Sequence, residues 1–245
     1  MTQETTTEKK QSIISHITAL RRVLLISVVA VLVAFVVLFY VFCEPLVTFI
    51  LRPVTLRGIP VVATAVSDAL VMKFKVCLVG AVVVAMPVII WQIWSFVRPA
   101  LYPHEKRVFK LLFFIALLLF ITGIVFCYLV IFPLTVDLFW EAAEGVAQSL
   151  WNVKEYFNFV LTFVLPFGVM FEMPVVMYMM ARKGWLTYES AAKSRKYVIL
   201  GLSVVAAILT PPDVVSQLML LLPMVALYEI SLQLMRIVAK AKADK

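Results

Sequence analysis

The sequence predicts an all-α integral membrane protein with six transmembrane helices, the last two short, in a single domain over residues 1–245. Three observations carry this reading. Of the 245 residues, 64% are hydrophobic and 15% charged, against about 45–50% and about 25% in a soluble domain. The apolar residues fall in long uncharged blocks rather than at a helix or strand period. The basic residues collect between alternate blocks. A soluble fold of this size would have too little polar sequence to cover its surface. That excludes a cytosolic enzyme, a nucleic-acid-binding domain and a disordered tail protein.

The polar segment of residues 1–22 leads into Val23–Cys43, 21 residues without a charge. At 1.5 Å per residue this covers the roughly 30 Å hydrocarbon core. It is too long for the apolar stretch of a signal peptide and is read as an uncleaved first span. Residues 44–75 form an outer segment that could contain a short helix lying on the membrane surface. The second span, 76–97, lies between Lys75 and Arg98, and Pro87 is expected to kink it. The third, 111–136, carries Pro133 near its far end. The fourth, 156–181, contains a single acid, Glu172. The fifth, 197–209, has only 13 residues and reaches about 20 Å before Thr210-Pro211-Pro212-Asp213 turns the chain. The sixth, 214–235, starts at once, so the two form a tight hairpin.

The net charge of +8 is distributed unevenly. One side holds Lys9, Lys10, Arg21 and Arg22 before the first span, and Arg98, Lys106, Arg107 and Lys110 between the second and third. It also holds Arg182, Lys183, Lys193, Arg195 and Lys196 between the fourth and fifth, and Arg236, Lys240, Lys242 and Lys245 after the sixth. The other side holds only Arg52, Arg57, Lys73, Lys75 and Lys154, with Asp137, Glu141, Glu144 and Glu155 sharing one loop. The positive-inside rule places both termini in the cytoplasm.

Few residues could carry chemistry. Cys43, Cys77 and Cys127 have no CxxC spacing, and His16 and His104 lie far apart, so neither a disulfide framework nor a metal site is expected. Glu172 lies about ten residues, or roughly 15 Å, from Arg182. A charge at that depth costs about 2.5–3.5 kcal/mol. It is therefore protonated or faces the protein interior, either as a polar point for a passing substrate or as an acid hydrogen-bonded to a neighbouring helix. Glu105 is the only acid in its loop, after Pro103; as chemistry alone it reads as a first-turn acid or as a partner of Lys106 or Arg107. Arg21 and Arg22 suit headgroup contacts, and Trp91 and Trp94 suit interfacial anchors. Glu229 could snorkel to the interface. Gln217 could hold a partner helix or make a contact within the hairpin.

Several stretches, in order along nearly the whole chain, resemble the TatC family, the Sec-independent twin-arginine protein translocase subunits. The strongest is Ser95-Phe96-Val97-Arg98-Pro99-Ala100-Leu101-Tyr102-Pro103-His104-Glu105-Lys106-Arg107, similar to the family's F-x-x-P-A-L-Y-x-x-E-[KR]-[KR]. Others are Phe171-Glu172-Met173-Pro174, the run Leu209-Thr210-Pro211-Pro212-Asp213 followed by Gln217, Pro223 and Tyr228-Glu229, and His16-Ile17-Thr18-Ala19-Leu20-Arg21-Arg22.

The resemblance implies a concave, glove-like bundle acting as a receptor and not as an enzyme. It would bind the twin-arginine signal peptides of folded cargo in a bacterial-type inner membrane, driven by the proton-motive force and without a cofactor. Implied partners are the lipid bilayer, single-span TatA-like and TatB-like proteins and further copies of itself, with no role for nucleic acid. The implied signal-peptide positions are Glu105, Arg21, Pro53 and Phe96. Glu172 is the implied intramembrane polar group, and Thr210 and Gln217 the implied docking edge for partner helices. A carboxylate takes a guanidinium through two parallel hydrogen bonds that lysine cannot offer. This chain departs from the family in two places: Ala19 stands where the family has a glutamate, and Asn152 where an acid is often found. The loss at Ala19 leaves arginine recognition leaning on Glu105 or another acid such as Glu189, which implies a weaker signal affinity than a two-acid site gives. The alternative from another class is a proton-coupled secondary transporter using Glu172.

Overall fold

The structure is a computed structural model and describes residues 2–97, 106–143, 150–210 and 213–243. Helices occupy the order α1 (Thr2–Val37), α2 (Cys43–Thr55), α3 (Asp68–Val97), α4 (Lys106–Phe126), α5 (Phe132–Ala143), α6 (Val153–Met170), α7 (Met173–Lys183), α8 (Tyr188–Lys193), α9 (Arg195–Leu209) and α10 (Val214–Ala243). Two dipeptide strands, β1 (Val61–Val62) and β2 (Trp151–Asn152), pair in parallel, with Val61 opposite Trp151 and Val62 opposite Asn152.

Among the described residues, five stretches are long and apolar enough to cross a membrane: Thr18–Thr55, Asp68–Ser95, Lys110–Ala142, Val153–Lys183 and Val214–Ile237. The remaining expected span is α9, a helix of 15 residues or about 22 Å, which is below the usual spanning length.

Three features differ from the expectation. The chain does not leave the helix at Cys43: five π-helical residues, Leu38–Phe42, join α1 directly to α2, so only residues 56–67 lie between helices. A second π-helical turn, Cys127–Ile131, joins α4 to α5. Each wide turn lies just before a proline, Pro45 and Pro133. Proline cannot donate to the carbonyl four residues back, and the ladder relaxes into a wider turn there. Third, the fourth block is two helices broken at Phe171-Glu172, because Pro174 suits the first turn of a new helix better than the interior of a continuing one. By contrast, α3 runs through Pro87 without a break.

The chain divides into two compact units, residues 1–43 with 77–117, and residues 44–76 with 118–245. In the first, no described residue of α1 from Thr18 onward is buried. In a bilayer that apolar surface meets lipid, with the backbone satisfied within the helix. Trp91 packs edge-to-face on Phe113, with ring centroids 5.2 Å apart.

The second unit has a dense aromatic interior. Phe159, Phe163 and Phe167 stack along α6 at 4.7 and 6.4 Å, and Phe120, Phe132 and Phe157 are fully buried. Gly168 lets the ring of Phe120 approach; a Cβ at Gly168 would lie 2.5 Å from its Cε2. Gly123 likewise lies against the Phe167 carbonyl, where a Cβ would sit at 2.7 Å. At its other end α10 packs on α7 and α8 through Met177, Ala191, Tyr228, Leu232 and Met235, and the Tyr228 hydroxyl donates to the Ala191 carbonyl at 2.8 Å.

Candidate functional site

The residues singled out in the sequence fall into four places. Glu105 and most of the loop that carries it lie outside the described residues, as do Pro211 and Pro212. Phe96 lies on the last turn of α3, described by its backbone alone. Arg21 and Ala19 are exposed on α1.

Glu172 occupies the break between α6 and α7. Its amide donates to the Val169 carbonyl at 3.1 Å, and its carbonyl accepts from the Val175 and Val176 amides at 3.1 and 3.0 Å. The Glu172 amide and carbonyl are therefore both paired at the turn. The carboxyl oxygen Oε1 is buried and has no hydrogen-bond partner among the described residues. A buried polar atom in that state costs about 1–3 kcal/mol. The neighbouring Phe171 ring lies 5.7 Å from Phe126 and covers Gly123.

Thr210 and Gln217 belong to the α9–α10 hairpin. Asp213 caps α10 by accepting from the Ser216 amide at 2.7 Å. Thr210 is buried and its hydroxyl donates to the Ala206 carbonyl at 2.9 Å. Gln217 Nε2 donates across the hairpin to the Ser203 carbonyl at 3.3 Å. Of the two contacts left open for Gln217, the one within the hairpin is therefore made. Farther along the same helices Arg195 takes both oxygens of Glu229, Nε to Oε1 at 2.8 Å and Nη2 to Oε2 at 3.0 Å. Glu229 is thus ion-paired rather than only snorkelling. Glu189 is exposed in the first turn of α8.

Pro53 is not in a loop. It is buried in the last turns of α2, and its carbonyl accepts from Arg57 Nη1 at 2.8 Å. Gly58, with φ of +69°, ends that helix in the left-handed conformation that glycine tolerates. Arg57 reaches back as a fork to Asp137, with Nε to Oδ1 at 2.5 Å and Nη2 to Oδ2 at 2.9 Å. These bonds hold the guanidinium above its ordinary pKa.

Asn152, the second departure, is the hub of the 56–67 segment. Its Oδ1 caps α6 by accepting from the Lys154 and Glu155 amides at 2.8 and 3.1 Å. Its Nδ2 donates to Thr64 Oγ1 at 2.5 Å, and Thr64 in turn donates to Asp68 Oδ2 at 3.2 Å. Asp68 also accepts from the Ala65 amide at 2.9 Å and stands 3.7 Å from Lys154 Nζ. Lys73 pairs with Glu44, 29 residues earlier, and Lys75 donates to Asn158 at 2.8 Å. Sequence reasoning named none of these pairs. Complementary charges at Arg57 and Asp137 were visible, but 80 residues separate them and no local spacing links them.

The profile of the family described as Sec-independent protein translocase protein (TatC) matches residues 15–223 of this chain. The chain belongs to the TatC family. Relatives named Sec-independent protein translocase protein TatC include that of Azotobacter chroococcum, 40% identical over 94% of this chain and 91% of its own length. Those of Carboxydothermus hydrogenoformans and Escherichia coli K12 are 34% and 35% identical, over 92% and 91% of this chain and 93% and 87% of theirs. The fold is similar to a solved structure titled as the crystal structure of the twin arginine translocase receptor TatC. The TM-score is 0.86 at 34% identity, over 91% of this chain and 99% of that one. The TatC fold, a largely helical membrane protein of a protein translocase, is thus that of this chain.

Proposed function

We propose that this TatC-family chain is the signal-peptide receptor and core subunit of a twin-arginine translocase. It passes folded proteins across a cytoplasmic membrane at the expense of the proton-motive force. Both termini and the 98–110 loop face the cytoplasm, as the distribution of basic residues requires. The observation that carries the reading is that loop: one acid, Glu105, stands among Arg98, Lys106, Arg107 and Lys110 within a motif shared in order with a translocase family. In a field of cations, a lone carboxylate is the group that draws arginine, and the bidentate fit favours arginine over lysine. Arg21 and Phe96 lie on the same side as that loop and support the site, whereas Pro53 belongs to the outer segment. Glu172 is the polar point within the membrane, and Thr210 with Gln217 presents an edge to TatA-like and TatB-like single-span helices. The chain performs no covalent chemistry of its own.

Binding of a fluorescent twin-arginine signal peptide to the purified protein tests this. The Arg-Arg peptide binds about tenfold or more tightly than its Lys-Lys version, and Glu105→Ala abolishes the difference while the protein stays folded. Ala19→Glu tightens binding. Equal affinity of the two peptides, or unaltered discrimination in Glu105→Ala, defeats the assignment. The competing reading, a proton-coupled transporter, has one observation in its favour: the buried oxygen of Glu172 that has no hydrogen-bond partner among the described residues. Solute uptake by vesicles containing this protein alone would select it.

A further inference from the structure

The second unit holds a cavity of about 350 Å³ where α5 ends and α6 begins. Val136 and Phe139 of α5, Trp151 and Asn152 of β2, and Glu155, Tyr156 and Phe159 of α6 form its walls. Four of these seven are aromatic. Phe139 and Phe159 meet edge-to-face with centroids 5.8 Å apart, and Trp151 and Tyr156 lie 6.1 Å apart. Tyr156 is held in place, since its ring is buried and its hydroxyl donates to the Ile50 carbonyl at 2.8 Å. Aromatic faces attract a cation through their quadrupole, and several rings around one space form the usual receptor for an ammonium group.

A carboxylate completes the site. Glu155 lies in the first turn of α6, a favourable place for negative charge. It forms no ion pair among the described residues, whereas Glu44, Asp68 and Asp137 nearby along the surface segments each have a cation. Its charge is therefore available to a ligand. The cavity also sits at the ends of two membrane-crossing stretches, Lys110–Ala142 and Val153–Lys183. Val136 and Phe159 carry its apolar wall about one turn farther into them than Phe139 and Glu155. A polar, anionic mouth over an apolar floor at that level matches a lipid headgroup with its ammonium up and its glycerol and first methylenes below.

We infer that this cavity binds the ammonium headgroup of a zwitterionic phospholipid. On the charge-derived topology that lipid belongs to the outer leaflet. The inference rests on the chain being a membrane protein and not on the signal-peptide reading, so either can fail without the other. An anionic headgroup would bring its charge against Glu155 and is disfavoured.

Native mass spectrometry of the full-length protein in detergent, titrated with phosphatidylethanolamine or phosphatidylglycerol of the same chains, tests it. One phosphatidylethanolamine is retained in preference to phosphatidylglycerol. Glu155→Gln lowers that occupancy about fivefold to tenfold, the loss of one charge-assisted contact. Glu155→Asp, which keeps the charge, restores much of it, and phosphatidylglycerol retention does not fall in Glu155→Gln, where the repelling charge is gone. Equal retention of the two lipids, or unchanged phosphatidylethanolamine retention in Glu155→Gln, overturns the proposal. Displacement by free ethanolamine at concentrations equal to the lipid's would show a soluble amine to be the occupant and overturn it as well. Glu155 is exposed, and circular dichroism of each variant verifies that the helices are intact.

Discussion

Gly168 fixes how closely α6 can approach α4, because the Phe120 ring fills the space its side chain would need. Phe120 is 1% exposed, so it cannot swing away. A methyl group at Gly168 would be forced against it, and overpacking of that kind costs about 1–3 kcal/mol. Gly168→Ala therefore lowers the thermal unfolding midpoint in detergent. Gly201→Ala is the matched control: nothing lies within 4 Å of its Cβ position, and alanine is the better helix former. Its midpoint stays level or rises. Single residues of this kind were poorly legible in the sequence. Gly168 and Gly201 both sit in apolar runs, and only the facing ring separates them. Glu172 was legible, since an acid in a span is conspicuous, but the orphaned state of its Oε1 depends on what the neighbouring helices present.

Among the elements, the join between the 56–67 segment and α6 depends on an amide at position 152. Asn152 both accepts, capping α6, and donates, to Thr64. An aspartate would still cap the helix. It would lose the donor and bring a second carboxylate toward Asp68, which already receives Thr64. The lost contact and the added repulsion together cost about 1–3 kcal/mol. Asn152→Asp should speed limited proteolysis within residues 56–67. Adding Asp68→Asn should slow it again, because the new amide can donate to the carboxylate introduced at position 152 while its oxygen keeps the Ala65 amide. A double variant as labile as the single one would show that the two sites do not communicate. The sequence placed a helix over every expected span, yet it missed where helices continue and where they break. An apolar run reads the same whether α1 stops at Cys43 or proceeds through a π-helical turn into α2. Likewise, Pro174 could have kinked one helix as easily as it opened a new one.

At the scale of the whole molecule, the topology rests on where the basic residues lie. Leu56 and Trp185 are both well exposed, at 74% and 64%, and lie in segments that the charge pattern assigns to opposite sides. The native Cys43, Cys77 and Cys127 are buried, so they leave a low labelling background. A membrane-impermeant maleimide added to intact spheroplasts should label Leu56→Cys and not Trp185→Cys, and the pattern should reverse in inverted vesicles. Labelling of both from one side would refute the orientation.

By itself the sequence determined the class of molecule and the family. Those properties follow from hydropathy, which sums along the chain, and from short ordered motifs. The tertiary structure decided what the polar residues do. Asn152 became a hub joining β2, the 56–67 segment and α6. Arg57 became a fork on Asp137, and Gln217 a tie within a hairpin. Hydrogen bonds and ion pairs act over about 3 Å between groups that are tens of residues apart in the chain. Their partners are therefore fixed by which helices meet, a relation that no local spacing encodes.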